Sequence, residues 1–113
     1  MLKYDTARIC YETIRDVDLP QKLQPLRRDF YNKAVDYARI RAQWQLSSRE
    51  QRIEMDQRRR LAHNAFIDAC NILSRNMGAE GEDNSWRAGL GDDRKIIGDF
   101  ACYIHCFLGI EAR

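Results

Sequence analysis

A chain of 113 residues, 44% hydrophobic and 32% charged, has the length of a single domain spanning residues 1–113 and a composition that excludes a disordered or low-complexity protein. Its net charge of +2 is too small to demand a nucleic acid or a membrane surface as partner. The basic side comprises 15 arginines and four lysines, a bias toward the fixed, bidentate contacts that guanidinium makes with carboxylates and phosphates.

Only two prolines occur, and glycine is confined to the C-terminal third, so helix is expected nearly throughout. The opening MLKYDTARIC lacks the basic cluster and apolar run of a secretory signal. The most apolar stretch, Ile96 to Ile110, is about 15 residues long with Asp99 and His105 inside it, against the roughly 20 that a bilayer span needs. A cytoplasmic protein is expected, with Cys10, Cys70, Cys102 and Cys106 reduced and packed as small apolar residues.

Tyr4, Ala7, Tyr11, Ile14 and Val17 repeat at three and four, which predicts a first amphipathic helix over Tyr4–Val17, stopped near Leu19 by Pro20. Pro25 suits the first turn of a second helix, Pro25–Leu46, whose seam runs through Leu26, Phe30, Ala34, Tyr37 and Trp44. Arg41 projects from the middle of that seam. It must snorkel, stack on Trp44, pair with Asp68 or Asp99, or bind an anion, because an unpaired buried guanidinium costs several kcal/mol.

Ser47 and Ser48, followed by Glu50 and Gln51, read as a capping box that starts a third helix, Arg49–Met77. Its first half, REQRIEMDQRRR, is charged on every side, whereas the second half is amphipathic. On the back of the second half, Arg60, Asn64, Asp68, Asn71 and Arg75 form a polar row at spacings of four, four, three and four. That row is either a solvated face or, together with Arg41, a candidate polar or anion site.

Gly78 is expected to end the third helix, and residues 79–91 to form a loop in which Trp86 either plugs the core or anchors a partner. Asp92 or Asp93 then caps a fourth helix, Asp92–Ile110. One half of that helix is a wide apolar face. The other carries Gly98, Cys102, Cys106 and Gly109 at spacings of four, four and three, a small-residue ridge that lets a second helix approach closely. With both sides buried, this would be the central helix of the bundle or a subunit interface.

Chemical motifs are lacking: no phosphate loop, nucleophile elbow or dinucleotide fingerprint occurs. His63 and Asp68 lie about 140° apart around their helix, and His105 and Asp99 about 120° apart, too far for either pair to act together. A zinc site from His63, Cys70, Cys102 and Cys106 would require two helix edges to face each other, and packing is the simpler reading of those cysteines. No cofactor or metal is expected. From Arg39 to Arg60, seven arginines stand against three acids, a local charge of +4, so Arg49, Arg52, Arg58, Arg59 and Arg60 form the natural centre of a nucleic-acid reading. The pairs Glu54 with Arg58 and Asp56 with Arg60 offset part of that charge.

The segment RRRLAHNAFIDACNILSRNM, Arg58 to Met77, resembles a stretch in a family of small all-helical bacterial proteins of unknown function. The resemblance implies a cytoplasmic helical bundle and brings no activity, cofactor or site. The expectation is therefore an all-α, four-helix bundle-like domain with a long third helix and a central apolar C-terminal helix. Its expected function is non-catalytic protein–protein interaction or regulation, as a homodimer meeting through Gly98, Cys102, Cys106, Gly109 and Trp86. Electrostatic nucleic-acid binding through residues 49–60 is the alternative.

Overall fold

Five α-helices and one 3-10 turn make up the computed structural model, which describes residues 1–113. They are α1 (Tyr4–Asp16), a 3-10 turn (Gln21–Leu23), α2 (Gln24–Gln45), α3 (Arg49–Ala79), α4 (Ser85–Leu90) and α5 (Arg94–Glu111), with no strand. The all-α expectation holds, but the expected count of four helices does not. The stretch expected to be a loop contains α4, because Trp86 and Leu90, one turn apart, are only 4% and 2% exposed and drag the segment between them onto the core. Asp83 fixes its start, accepting from the Ser85 N–H at 2.9 Å and the Ser85 hydroxyl at 2.6 Å.

Side chains from neighbouring elements close the helix ends. Arg27 of α2 donates to the carbonyls of Val17 (2.7 Å) and Ile14 (3.1 Å), satisfying the last turn of α1. The capping box of α3 is the Ser48–Gln51 pair, with the Gln51 N–H donating to Ser48 Oγ (3.2 Å) and the Ser48 N–H to Gln51 Oε1 (2.8 Å).

The far end of α3 corrects the expectation that Gly78 stops it. Gly81, at φ 77°, is the left-handed residue, and the Glu82 N–H reaches Met77 O (2.9 Å) while the Gly81 N–H reaches Gly78 O (3.0 Å), the Schellman pattern. Gly78 stays helical and makes room. A Cβ there would sit 2.7 Å from Nδ2 of Asn84, which donates to Ser74 O at 2.9 Å.

The centre of the packing is α2, with α3 along one side and α5 along the other, while α1 lies on α5. The central place expected for the C-terminal helix therefore belongs to α2. Phe30 shows why, since its fully buried ring meets Phe66 of α3 (5.5 Å), Trp86 of α4 (5.9 Å) and Phe100 of α5 (6.3 Å). α5 does bury two sides. Gly98 faces α2, and Phe107 meets Tyr4 and Tyr11 of α1 at 5.7 and 5.1 Å.

The molecule measures 47 × 26 × 25 Å, and its long axis matches the 31 residues of α3 at about 1.5 Å each. The charged first half of α3 runs back along the end of α2. Arg52 holds it there, donating from Nε to Trp44 O (2.8 Å) and from Nη2 to Gln45 O (3.2 Å), which also places a cation at the negative end of the α2 dipole.

Candidate functional site

Where the end of α2, the arginine-rich half of α3 and the start of α5 meet, a cleft of about 480 Å³ opens. From α3 come Arg52, Arg59 and His63, at spacings of seven and four and so on one face of the helix. α5 contributes Arg94 and Lys95 from its first turn, and α2 contributes Tyr37, Arg41, Trp44 and Gln45. Four arginines and a lysine thus line the cleft, and no carboxylate does.

Two of these cations are answered from behind. Arg41 Nη2 pairs with Asp99 Oδ1 at 2.8 Å, both side chains largely buried, and Arg59 Nη2 pairs with Asp56 at 3.1 Å. Of the fates open to Arg41, the ion pair to Asp99 is the one realised. The stacking on Trp44 is done by Arg59 and Arg52, whose guanidinium carbons lie 4.4 and 5.7 Å from the ring centre. Arg94 Nη2 donates to Asn64 Oδ1 at 2.7 Å, and Lys95 engages only through its backbone N–H, on the Asp93 cap at 2.9 Å.

His63 decides the character of the cleft. It is 5% exposed and stacked on Tyr37, with ring centres 4.6 Å apart and planes 18° apart. Arg94 Nη2 lies 3.2 Å from its Nδ1. A guanidinium can only donate, so Nδ1 accepts and the neutral ring carries its proton on Nε2. That Nε2–H is buried without a partner, as is the Nε of Arg59 one turn earlier. Each such orphaned donor costs about 1–3 kcal/mol. Burial, followed by the charges of Arg94, Arg59 and Arg41, holds the His63 pKa below 6.5. An imidazole kept neutral, with its one lone pair occupied, is a hydrogen-bond donor rather than a base.

The same shift ties stability to acid. The unfolded chain binds the His63 proton at about pH 6.5, while the folded chain binds it only at lower pH. The contribution of His63 is therefore complete above about pH 6.5 and is lost as pH falls toward the depressed folded value. In NMR, the His63 ring protons should titrate with a midpoint below 6.5, and in His63→Phe this part of the acid loss of stability should disappear.

The polar row expected on α3 does not form a site. Arg60 pairs with Asp56 at 3.0 Å, Asn71 accepts from Arg87 at 2.7 Å, Asn64 is taken by Arg94, and Asp68 and Arg75 are exposed. Arg41 lies on α2, across the cleft from them.

The ridge on the last helix is filled within the chain over its first half. A Cβ on Gly98 would lie 3.1 Å from the Tyr37 ring and 3.2 Å from Arg41, and Arg41 Nη1 is 3.7 Å from the Cys102 sulfur. Cys106 and Gly109 are exposed, and Trp86 is a core plug rather than a surface anchor.

The arginines of residues 49–60 also diverge. Arg52 and Arg59 turn into the cleft, Arg58 bonds Gln43 at 3.1 Å, and Arg49 stays exposed. Among His, Cys, Asp and Glu side chains, no group of three converges as a metal would require, and His63, Cys70, Cys102 and Cys106 remain apart. No helix is long and apolar enough to cross a membrane.

Comparison with protein-family models, curated proteins and solved structures finds no match to the chain.

Proposed function

We propose that this protein is a non-catalytic, ligand-responsive binding protein whose cleft takes a small anion. The reading rests on the lining of the cleft, where Arg41, Arg52, Arg59, Arg94 and Lys95 gather around a neutral His63. No carboxylate stands in the lining to offset them. A phosphate or carboxylate would answer that surplus of positive charge. Arg94 and Lys95 support this, because they place cations at the positive end of the α5 dipole, where anions are favoured.

Titration of the full chain with inorganic phosphate at low ionic strength tests the reading. Saturable binding should be accompanied by an upward move of the His63 midpoint, since a bound anion favours the charged ring. Salt should weaken the binding. Absence of binding at low salt rejects the proposal. Tight binding of oligonucleotides with no affinity for phosphate would instead favour nucleic acid, a reading weakened by the way the arginines of residues 49–60 radiate around their helix.

A further inference from the structure

Beside the basic cleft, between α2 and α5, lies a second pocket of about 330 Å³ with very different walls. Ala38, Ala42, Cys102 and Cys106 are small and leave it hollow, and Leu2 and Tyr103 close one side. That side is fastened in place. The Tyr103 hydroxyl donates to Leu2 O at 3.1 Å, and the Leu2 N–H donates to Asp99 Oδ2 at 3.2 Å. Arg41 and Gln45, one turn apart on α2, line both this pocket and the cleft, so the two cavities are neighbours across a single pair of side chains.

Charge divides sharply at that boundary. On the pocket side, Arg41 is neutralised by Asp99 and the remaining walls are mostly apolar. On the cleft side, Arg52, Arg59, Arg94 and Lys95 stand without a carboxylate in the lining. An inorganic ion in the cleft would leave the small apolar walls next to it in contact with water. A ligand with negative charge at one end only and hydrocarbon at the other fits both.

We infer that the two cavities form one bipartite site for a single-chain anionic amphiphile, its phosphate or carboxylate head beside His63 and its apolar tail between Ala42, Cys102 and Cys106. The inference rests on the anion reading of the cleft and adds the tail.

Calorimetric titration of the full chain with inorganic, butyl, hexyl and octyl phosphate, each kept monomeric, separates the two claims. Affinity should rise from inorganic phosphate upward by roughly fourfold per buried methylene and then level off once the pocket is full. Octyltrimethylammonium, with the same tail and the opposite head, should not bind. Ala42→Phe, at an exposed position of the pocket wall, should sharply reduce the ratio of octyl to inorganic phosphate affinity. Octyl phosphate should also protect Cys106, the exposed thiol, from alkylation.

A flat series with phosphate still bound overturns the amphiphile and leaves the anion reading standing. A rising series that Ala42→Phe does not flatten, or that octyltrimethylammonium reproduces, places the tail elsewhere and also overturns it. So does binding confined to anionic lipid vesicles. Failure of every phosphate to bind at low salt removes the anion reading itself.

Discussion

Phe30→Ala should cost about 3–5 kcal/mol of folding stability, the range for deleting a buried phenylalanine ring. Against a usual total of about 5–15 kcal/mol, that is a third or more of the stability for most of the range, and a total near the bottom of it would leave the chain partly unfolded. The size of the effect follows from where the ring sits. Phe30 is the point at which α2 meets α3, α4 and α5 at once, through Phe66, Trp86 and Phe100. These neighbours belong to three separate helices, and none can fill the void without abandoning its other contacts, so the cavity persists. Urea denaturation followed by circular dichroism should show a fall in midpoint with little change in slope. A loss below 1 kcal/mol would mean that the aromatic cluster relaxes around the hole and that α2 is not the element on which the other helices assemble.

Lys95→Glu should move stability and binding in opposite directions. Lys95 is exposed in the first turn of α5 and its ammonium meets no carboxylate, so the fold gains nothing evident from its charge. Glutamate there suits the positive end of the helix and should add about 0.3–1 kcal/mol of stability. In the cleft, the same change removes a cation and adds a repelling charge. Loss of one charge-assisted contact, about 1.5–3 kcal/mol, predicts phosphate affinity reduced at least ten- to a hundredfold. A variant that is more stable yet binds less well would identify Lys95 as a residue kept for ligand at the expense of the helix. Unchanged phosphate affinity in this variant would take the N-terminal turn of α5 out of the site.

Much of the scaffold was legible in the sequence because it is local. The Ser48–Gln51 cap, Pro25 at the head of α2 and the periodic faces of the long helices are matters of spacing within one or two turns. The errors arose where tertiary contacts decide. Gly78 and Gly81 are equally plausible helix stops by residue type. Only the Glu82 N–H returning to Met77 O distinguishes them, and Gly78 is instead held helical beside Asn84. The helix at Trp86 escaped because six residues containing one apolar i, i+4 pair and one glycine carry too little periodicity to register.

The cleft was half visible. Arg52 and Arg59 belong to an arginine-rich stretch, and Asp99 is one of the two acidic partners that the sequence offers Arg41, but His63 and Arg94 are 31 residues apart and no spacing rule joins them. The one available signal was the Arg94–Lys95 pair at a helix start, where dipole preference runs the other way. The polar row on α3 misled for the complementary reason. Periodicity shows which side chains share a face and is silent about what faces them; here Arg94 and Arg87 answer two of the row from other helices.

The two tryptophans divide the molecule optically. Trp86 is sealed in the aromatic core, whereas Trp44 lies half-buried at the cleft under the Arg59 guanidinium. Light emitted by this chain therefore carries two signatures, one tied to the integrity of the interior and one to the placement of Arg59 and Arg52 over the indole. With Trp86→Phe as background, the remaining indole would report occupancy of the cleft without any dye attached.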